Sequence, residues 1–399
     1  MFATCVAAPA GPSDDHFPFS CGPLASACLR LEPTLYRILA FLVLAASLCG
    51  CVRPGPESLA VVSPIGGAKR IAVLVASDRV PDGGPYDGFT AGRSDRLHYL
   101  EVTVSIPPGH TSPKIEWASG NPSARNSFAV VGRRELTAAE FAARAQLGVG
   151  HVPGPATAGI FVHGFNYTYQ EALFRLAQMS ADSGVVGTPI LFDWPSQGKV
   201  TGYVADRDAA AFARDDLVAV LTELSNGGVR STVVAHSMGA WLAIETVRQL
   251  SLMGRRDVLH SVDQVVLAAP NIDIDLLKRQ LAATDRLSKP IVVLTSKDDV
   301  ALAVSKRLAG WAATAGSLDV DDPRTRSLAV RENLVVIDIS TLPSLDGTNH
   351  DRFAALAAMY PQLRQGFSNP VAGTGALVLN GVGAVVAAPF RLGGRLLAN

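Results

Sequence analysis

The feature that most constrains the fold is an alternation of short apolar runs with longer amphipathic segments. The apolar runs are rich in Val, Ile, Leu and Phe and cover residues 70–76, 99–106, 158–162, 189–192, 231–235, 265–268, 291–294 and 334–339. Helical patterns separate the later runs, over residues 169–183, 206–225 and 240–250. In the second of these helices, Phe212 falls on the apolar stripe and is predicted to face inward. Short apolar strands between helices are typical of a parallel sheet covered on both faces. We therefore predict an α/β fold with a mostly parallel sheet of about eight strands.

Composition divides the chain into four segments. The 399 residues carry no formal net charge and are 48% hydrophobic, which is enough apolar material for one large core. We expect an N-terminal extension with a signal over 1–51, a Pro-, Gly- and Ser-rich tether over 52–67, a domain over 68–366, and a Gly/Ala-rich apolar tail over 367–399. Acidic and basic residues are equal in number, which argues against a nucleic-acid partner.

The N-terminal segment indicates export and lipidation. Residues 38–48 form an apolar run shorter than a membrane-spanning helix needs. The following Leu-Cys-Gly-Cys sequence resembles the end of a bacterial lipoprotein signal, in which the last cysteine, here Cys51, receives the lipid. This resemblance implies a protein anchored in the bacterial cell envelope and facing the periplasm, on the outer membrane if the host is Gram-negative. The alternative is an anchor helix that is never cleaved.

Three further expectations concern the two ends of the chain. The residues before Leu29 are acidic and proline-rich where a signal should be basic, so we expect translation to start near Leu29. The tail over 367–399 either packs on the domain or contributes to membrane contact. All five cysteines lie in the first 51 residues, so the rest of the chain has no disulfide and no thiolate metal site.

A candidate nucleophile lies where a predicted strand runs directly into a predicted helix. The sequence there is Ala235-His236-Ser237-Met238-Gly239. A serine in a strained strand-to-helix turn needs small residues two positions before and after it, and Ala235 and Gly239 meet that need. Such a turn presents the serine hydroxyl at the carboxyl edge of the sheet. The alternative is a structural serine in an ordinary connection.

A nucleophilic serine requires two backbone N–H groups directed at the oxyanion of the intermediate. One comes from the residue after the nucleophile, which is Met238. The other comes from the loop after an earlier strand, where His163-Gly164-Phe165 follows residues 158–162. We expect Phe165 to offer its N–H, Gly164 to permit the close turn and His163 to brace the loop.

The general base and the acid should follow the serine in chain order. His260 and His350 are the two histidines beyond Ser237. His260 precedes a strand, at the wrong end of the sheet, whereas His350 follows the last strand at the edge where the nucleophile emerges. We therefore predict His350 as the base. The acid candidates follow the two preceding strands: Asp298, Asp299 and, more weakly, Asp273.

Taken together, these segments resemble the α/β-hydrolase superfamily, and within it a branch of uncharacterised bacterial serine hydrolases, many of lipoprotein type. The similar segments extend from about Ala72 to Gln362 and include VSIPPGH (104–110), FVHGFN (161–166), EALFRLAQM (171–179), LFDWPSQG (191–198), AHSMG (235–239), LAAPNID (267–273) and SKDDVAL (296–302). The resemblance implies the α/β-hydrolase fold and selects Asp299 as the acid. Asp193 departs from the branch, whose members more often carry a small polar residue there, and either tunes the pocket or is a loop charge.

The resulting hypothesis is a serine hydrolase that cleaves a small-molecule or lipid ester through an acyl-enzyme, with no cofactor or metal implied. Trp194 and Tyr203 are candidates for a pocket wall, although aromatic residues at strand ends more often pack in the core. A thioesterase, an amidase or an acyltransferase would use the same groups. The rival from another class is a non-catalytic envelope lipoprotein that keeps the fold as a scaffold.

Overall fold

The computed structural model describes residues 53–147, 156–184 and 187–357, together with the backbone of 377–379. The predicted signal, including Cys51, and most of the predicted tail lie outside the described residues. The described residues from Pro54 onward belong to one structural unit. Among the helices described, none is long and apolar enough to cross a membrane.

In the described part of the chain, ten strands form one mixed sheet. They are β1 (Lys69–Pro81), β2 (Phe89–Ile106), β3 (Ala129–Leu136), β4 (Thr157–Val162), β5 (Thr188–Asp193), β6 (Arg230–His236), β7 (Val262–Ala268), β8 (Ile291–Thr295), β9 (Leu334–Asp338) and β10 (Leu377–Leu379). Their spatial order is β10-β9-β8-β7-β6-β4-β5-β1-β2-β3. All neighbours pair in parallel except β1 with β2 and β2 with β3, which are antiparallel. The predicted fold class is confirmed. The sheet has ten strands rather than about eight, and β10 arises from the predicted tail.

Helices cover both faces of this sheet. They are α1 (Ala138–Leu147), α2 (Tyr169–Ser183), α3 (Tyr203–Phe212), α4 (Arg214–Asn226), α5 (Met238–Leu252), α6 (Arg256–Ser261), α7 (Ile274–Ala282), α8 (Val300–Ala309), α9 (Pro323–Glu332) and α10 (Phe353–Leu356). Two hydrophobic clusters result, one with α4 and α5 and the other with α2 and α10. Along β1, Leu74 belongs to the first cluster, while Val73 and Val75 belong to the second. Burial on both faces explains why the strands lack polar alternation.

The helix predicted over residues 206–225 is in fact two helices, α3 and α4. They meet at Ala213, which is fully buried and has a ψ of −9°, well away from the usual helical value. One buried face nevertheless continues through this residue, from Asp206, Ala210 and Ala213 to Leu217, Leu221 and Leu224, and Phe212 lies off that face. Phe212, which we predicted to face inward, is 41% exposed. The Arg93 guanidinium lies 5.7 Å from the centre of its ring.

The predicted tether packs on the domain from Pro54 onward. Residues Pro56–Leu59 form a 3₁₀ turn, and the Leu59 side chain is only 1% exposed within the second hydrophobic cluster. Gln170 donates a hydrogen bond to the Pro54 carbonyl at 2.8 Å, and the Val62 N–H donates to the Val130 carbonyl at 2.9 Å. The domain therefore begins by Pro54 rather than at residue 68. The Pro- and Gly-rich composition concealed this, because the partners of Pro54 and Leu59 are distant in sequence.

Candidate active site

Ser237 occupies a strained turn between β6 and α5. Its backbone has φ 54° and ψ −117°, a conformation that residues other than glycine seldom adopt. Two hydrogen bonds hold the turn against the end of β7. The Ser237 N–H donates to the Ala268 carbonyl at 2.9 Å, and the Asn271 N–H donates to the Ser237 carbonyl at 3.2 Å. The strain is thus supported from the neighbouring strand, and the residue remains 4% exposed.

Two glycines allow the loop after β4 to pack directly against this turn. A Cβ at Gly239 would lie 2.2 Å from the His163 carbonyl oxygen, and a Cβ at Gly164 would lie 2.8 Å from His236 Nδ1 and 3.0 Å from Ser237 Cβ. All three distances are shorter than van der Waals contact. The requirement for small residues around the serine is therefore imposed by the backbone of a second segment, which is the loop that carries Phe165.

An acid and a histidine meet at the same edge of the sheet. Asp299 Oδ2 lies 2.7 Å from His350 Nδ1. The Asp299 side chain is fully buried, while that of His350 is 16% exposed. Asp299 is also the N-cap of α8, because its Oδ1 accepts the Leu302 N–H at 2.9 Å. This second bond and the helix N-terminus fix the carboxylate in the orientation that meets the imidazole.

His236, the residue before Ser237, links the serine turn to His350. Its Nε2–H donates to the His350 carbonyl at 3.2 Å, and the two imidazole centres are 4.6 Å apart. Burial, reinforced by the nearby His350, lowers the pKa of His236 well below its ordinary value, so His236 is neutral. Among the described residues, no hydrogen bond joins Ser237 Oγ to the His350 ring. In hydrolases without substrate, such contacts are often long and tighten only when substrate binds.

Asp298, the alternative acid, has a different set of partners. It accepts hydrogen bonds from both ends of the Arg352 guanidinium, from Ser296 Oγ at 2.9 Å and from Asn349 Nδ2 at 3.0 Å. The bonds from Arg352 lower the pKa of Asp298 below its ordinary value. Asn349 and Arg352 flank His350 closely in sequence. Asp298 therefore holds the backbone around His350, whereas Asp299 contacts the ring itself.

Asp273, the third acid candidate, lies at the start of α7. Its Oδ1 accepts the N–H groups of Asp275 and Leu276 at 2.9 and 3.1 Å. It is therefore an N-cap of that helix. No described contact joins it to His350.

The candidate oxyanion donors are the N–H groups of Phe165 and Met238. Within the described part of the chain, neither N–H has an acceptor. The amides that follow Phe165 are engaged. Asn166 donates to Asp206 Oδ2 at 3.3 Å, and Tyr167 donates to Ser196 Oγ at 3.2 Å. Two backbone donors thus remain available, one on each of the two segments that the glycines bring together.

His163 is fully buried and contacts the loop rather than His350. Its ring stacks on Trp194 at 5.0 Å between centres, and its Nδ1 lies 2.9 Å from the Gly164 carbonyl oxygen. Trp194 is fully buried and donates its indole N–H to the His163 carbonyl at 2.8 Å. The possibility that Trp194 forms a pocket wall is therefore wrong, because its ring belongs to the core under this loop.

The sequence reasoning missed a buried ion pair beneath the loop. Arg79 Nε lies 2.9 Å from Asp193 Oδ1, and the two side chains are 2% and 0% exposed. Arg79 also donates to the carbonyls of Ser196 and Tyr167 at 2.8 and 3.2 Å. Burial alone would raise the pKa of Asp193, but the Arg79 guanidinium, with His163, lowers it overall. Asp193 is thus neither a pocket residue nor a loop charge. The sequence signal for this ion pair was the polar triplet Ser77-Asp78-Arg79, which directly follows the apolar run of β1.

A cleft opens beside the serine turn. Its lining residues come from four separate segments and are Tyr203, Arg207, Met238, Trp241, Asn271, Ile272, Asp273, Leu276 and Trp311. Tyr203 therefore does contribute to a pocket wall, and its hydroxyl accepts a hydrogen bond from Asn271 Nδ2 at 3.1 Å. Among the described residues, no cluster of His, Cys, Asp and Glu side chains is arranged to hold a metal ion.

Comparison with solved structures finds distant likenesses to hydrolases. A protein from Agrobacterium vitis S4 described as a hydrolase is 15% identical, covers 73% of this chain and 98% of its own, and has a TM-score of 0.31. An esterase from Pseudomonas putida ECU1011 is 14% identical, with coverage of 82% and 93% and a TM-score of 0.33. An esterase from Pyrobaculum calidifontis is 15% identical, with coverage of 83% and 99% and a TM-score of 0.29. Likenesses this weak carry no activity over to this chain.

The sequence matches no curated protein. It does match one family model, described as an alpha/beta hydrolase of unknown function (DUF900), over residues 156–366. The matched range contains all of β4 to β9 and every side chain of the serine turn and of the acid–histidine pair. Since the match covers more than half of the chain, the protein belongs to this family of α/β hydrolases.

Proposed function

We propose that this protein is a serine hydrolase that cleaves carboxylic esters through an acyl-enzyme. Ser237 is the nucleophile, His350 the general base and Asp299 the residue that orients the base. The observation that carries the proposal is the 2.7 Å contact between Asp299 and His350, at the edge of the sheet where the strained Ser237 turn emerges. Family membership supports hydrolysis, and this geometry supports the serine mechanism.

The contact with Asp299 determines which tautomer His350 adopts. A carboxylate on Nδ1 favours the form with the proton on Nδ1, which leaves Nε2 free to accept a proton. Ser237 Oγ then attacks the ester carbonyl carbon while its proton passes to His350 Nε2. The carbonyl oxygen becomes an oxyanion that accepts hydrogen bonds from the Phe165 and Met238 N–H groups. Asp299 stabilises the imidazolium.

The intermediate collapses when the bond from carbon to the alcohol oxygen breaks. His350 gives its proton to that oxygen, the alcohol leaves, and the acyl group remains on Ser237. Water attacks the acyl-enzyme, and its proton passes to His350. Collapse of the second intermediate returns that proton to Ser237 Oγ and releases the acid. All proton transfers use the single free nitrogen of His350, which is why the orientation of its ring matters.

Hydrolysis of p-nitrophenyl butyrate tests the proposal. We expect Ser237→Ala to lower kcat on the order of 10⁶-fold and Asp299→Asn on the order of 10⁴-fold. Asp298→Asn is the matched control because it alters the neighbouring carboxylate, which holds Arg352 rather than the ring. It should lower kcat less than tenfold. Full activity of Ser237→Ala would contradict the proposal, and equal losses in the two Asn variants would contradict the choice of Asp299. An inactive wild-type protein would favour the scaffold.

We further propose that the protein is anchored in the bacterial cell envelope through a lipid on Cys51. The Leu48-Cys49-Gly50-Cys51 sequence supports this, although these residues lie outside the described residues. Replacement of Cys51 by Ala should move the protein from the membrane fraction to the soluble fraction. Membrane association that persists in Cys51→Ala would contradict the lipid anchor and would implicate the tail over 367–399.

A further inference from the structure

The cleft beside the serine turn contains a guanidinium that forms no ion pair with any described carboxylate. The cleft adjoins the candidate nucleophile, because it is lined by Met238, which follows Ser237, and by Asn271, whose N–H donates to the Ser237 carbonyl. A molecule bound here would therefore lie next to the serine turn. The basic residue in this wall is Arg207, on α3.

Two indole rings support the Arg207 guanidinium. Its carbon lies 5.8 Å from the centre of the Trp241 ring and 6.0 Å from that of Trp311. Within the described part of the chain, Arg207 forms no ion pair and no hydrogen bond. Stacking holds a guanidinium in place but leaves its N–H edges without acceptors. The arginine is thus positioned and half-buried while its donors remain available.

Two acidic residues, one beside Arg207 in the chain and one in the same cleft, have other hydrogen-bond partners. Asp206 is fully buried and accepts hydrogen bonds from Ser196 Oγ at 2.5 Å and from the Gln197 N–H at 2.7 Å. Asp273 lines the same cleft, but its Oδ1 caps α7. Among the described residues, neither forms an ion pair or a hydrogen bond with Arg207.

A second donor in the same wall has no acceptor. The indole nitrogen of Trp241 is buried, and among the described residues it has no hydrogen-bond partner. An unpaired buried donor is costly, because it has lost its contact with water. The ring that supports Arg207 therefore carries a buried donor that no described residue satisfies.

We propose that Arg207 binds an anionic group, a carboxylate or a phosphate, that is part of the ester substrate. The substrate class is then an ester with a negative charge on its acyl or its alcohol part. The planar fork of arginine suits both anions, because it offers two parallel N–H bonds to two oxygens. This inference rests on the proposed function for the identity of the reaction, but the anion site itself does not.

Matched pairs of esters test the specificity. p-Nitrophenyl hydrogen glutarate and p-nitrophenyl pentanoate differ in a terminal carboxylate on the acyl side, and 4-acetoxybenzoate and 4-acetoxybenzamide differ in charge on the alcohol side. We expect kcat/KM of the wild type to favour the anionic member of at least one pair by about tenfold or more, as for a charge-assisted hydrogen bond. Arg207→Gln should abolish this preference and change kcat/KM for the neutral ester less than about threefold.

Arg93→Gln is the matched control for these assays. Arg93 also stacks on an aromatic ring, that of Phe212, but it does not line the cleft. The variant should keep the wild-type preference. The inference is overturned if the wild type favours neither anionic ester, or if Arg207→Gln keeps the preference.

A binding measurement separates this inference from the proposed reaction. Sodium glutarate and inorganic phosphate are titrated into full-length Ser237→Ala while indole fluorescence is followed. We expect saturable quenching by at least one anion, and which anion binds distinguishes carboxylate from phosphate. Adding Arg207→Gln should abolish the quenching, and quenching that persists would overturn the inference. If no ester is hydrolysed but the quenching depends on Arg207, the proposed function fails and the anion site stands.

Discussion

Replacement of Asp193 by asparagine should destabilise the protein by about 3 kcal/mol. Asparagine keeps the shape of the side chain but removes the charge that faces Arg79 Nε at 2.9 Å. Removal of one partner from a buried ion pair costs about 3–5 kcal/mol, because the other charge stays buried and unpaired. We take the lower end of this range, since the carbonyls of Ser196 and Tyr167 still accept hydrogen bonds from Arg79. At 2–4 °C per kcal/mol, Tm should fall by about 6–12 °C.

Thermal unfolding followed by circular dichroism at pH 7.5 measures this change. The double variant Arg79→Met/Asp193→Leu should recover most of the loss, because apolar residues of similar volume often replace a buried pair at little cost. The pKa of Asp193 is lowered by folding, so the pair stabilises above the unfolded pKa of about 4. Its contribution should disappear as pH falls through the folded pKa. An Asp193→Asn variant with wild-type Tm would refute this reasoning, as would a double variant less stable than the single one.

Three further predictions concern other buried positions. Gly239→Ala should abolish hydrolysis, because the added Cβ would lie 2.2 Å from the His163 carbonyl oxygen. Gly159→Ala on β4 is the control and should keep hydrolysis, because a Cβ there has open space. Equal activities of the two variants would contradict the packing argument. Folding lowers the pKa of His236 below its unfolded value of about 6.5. Between these two pKa values the unfolded state binds a proton at His236 that the folded state does not. The free energy of unfolding therefore decreases as the pH falls through this range. His236→Gln should therefore lose less Tm than the wild type between pH 7.5 and 5.5, and parallel curves would contradict this. Asp78 is fully buried, and among the described residues neither of its carboxyl oxygens is hydrogen-bonded. Burial raises the pKa of Asp78 well above its ordinary value. The ionised side chain therefore destabilises the folded protein above the unfolded pKa of about 4, and this destabilisation grows with pH. Asp78→Asn should raise Tm at pH 8 more than at pH 4, and an equal change at both would count against this assignment.

The parts of the site that sequence could predict depend on local pattern and chain order. Parallel strands place their carboxyl ends at one edge of the sheet, so residues that follow different strands converge there. This is how Ser237 and His350 could be proposed from segments far apart in the chain, whereas chain order left Asp298, Asp299 and Asp273 as acid candidates and only the family resemblance favoured Asp299. The requirement for Gly239 could also be anticipated, because a strained turn tolerates only small neighbours.

The parts that could not be predicted depend on pairings between distant side chains. Arg79 and Asp193 are 114 residues apart, and each alone resembles a charge in a loop. The contact between His236 and the His350 carbonyl likewise spans 114 residues. Neither propensity nor periodicity encodes such contacts, since they follow from the order of strands in space.

The cleft could not be predicted from the sequence for the same reason. Its walls come from α3, α5, the start of α7 and the segment that contains Trp311. No single stretch of sequence therefore indicates that a cleft is present. Asp206-Arg207-Asp208 has the appearance of a solvated helix start with an internal ion pair. In the structure, Asp206 instead bonds to Ser196 and Gln197, which leaves Arg207 to the two indoles.

The most direct test of the central proposal is the site of covalent labelling by a fluorophosphonate. The reagent captures a serine that an adjacent base has activated, and it needs no knowledge of the natural ester. After brief treatment of the folded wild-type protein, peptide mass spectrometry should find one phosphonylated residue, Ser237. The adduct should be absent from Ser237→Ala and from heat-denatured protein, and it should form far more slowly in His350→Gln. An unlabelled folded protein, or an adduct at any other serine, would contradict the assignment of Ser237 as the nucleophile.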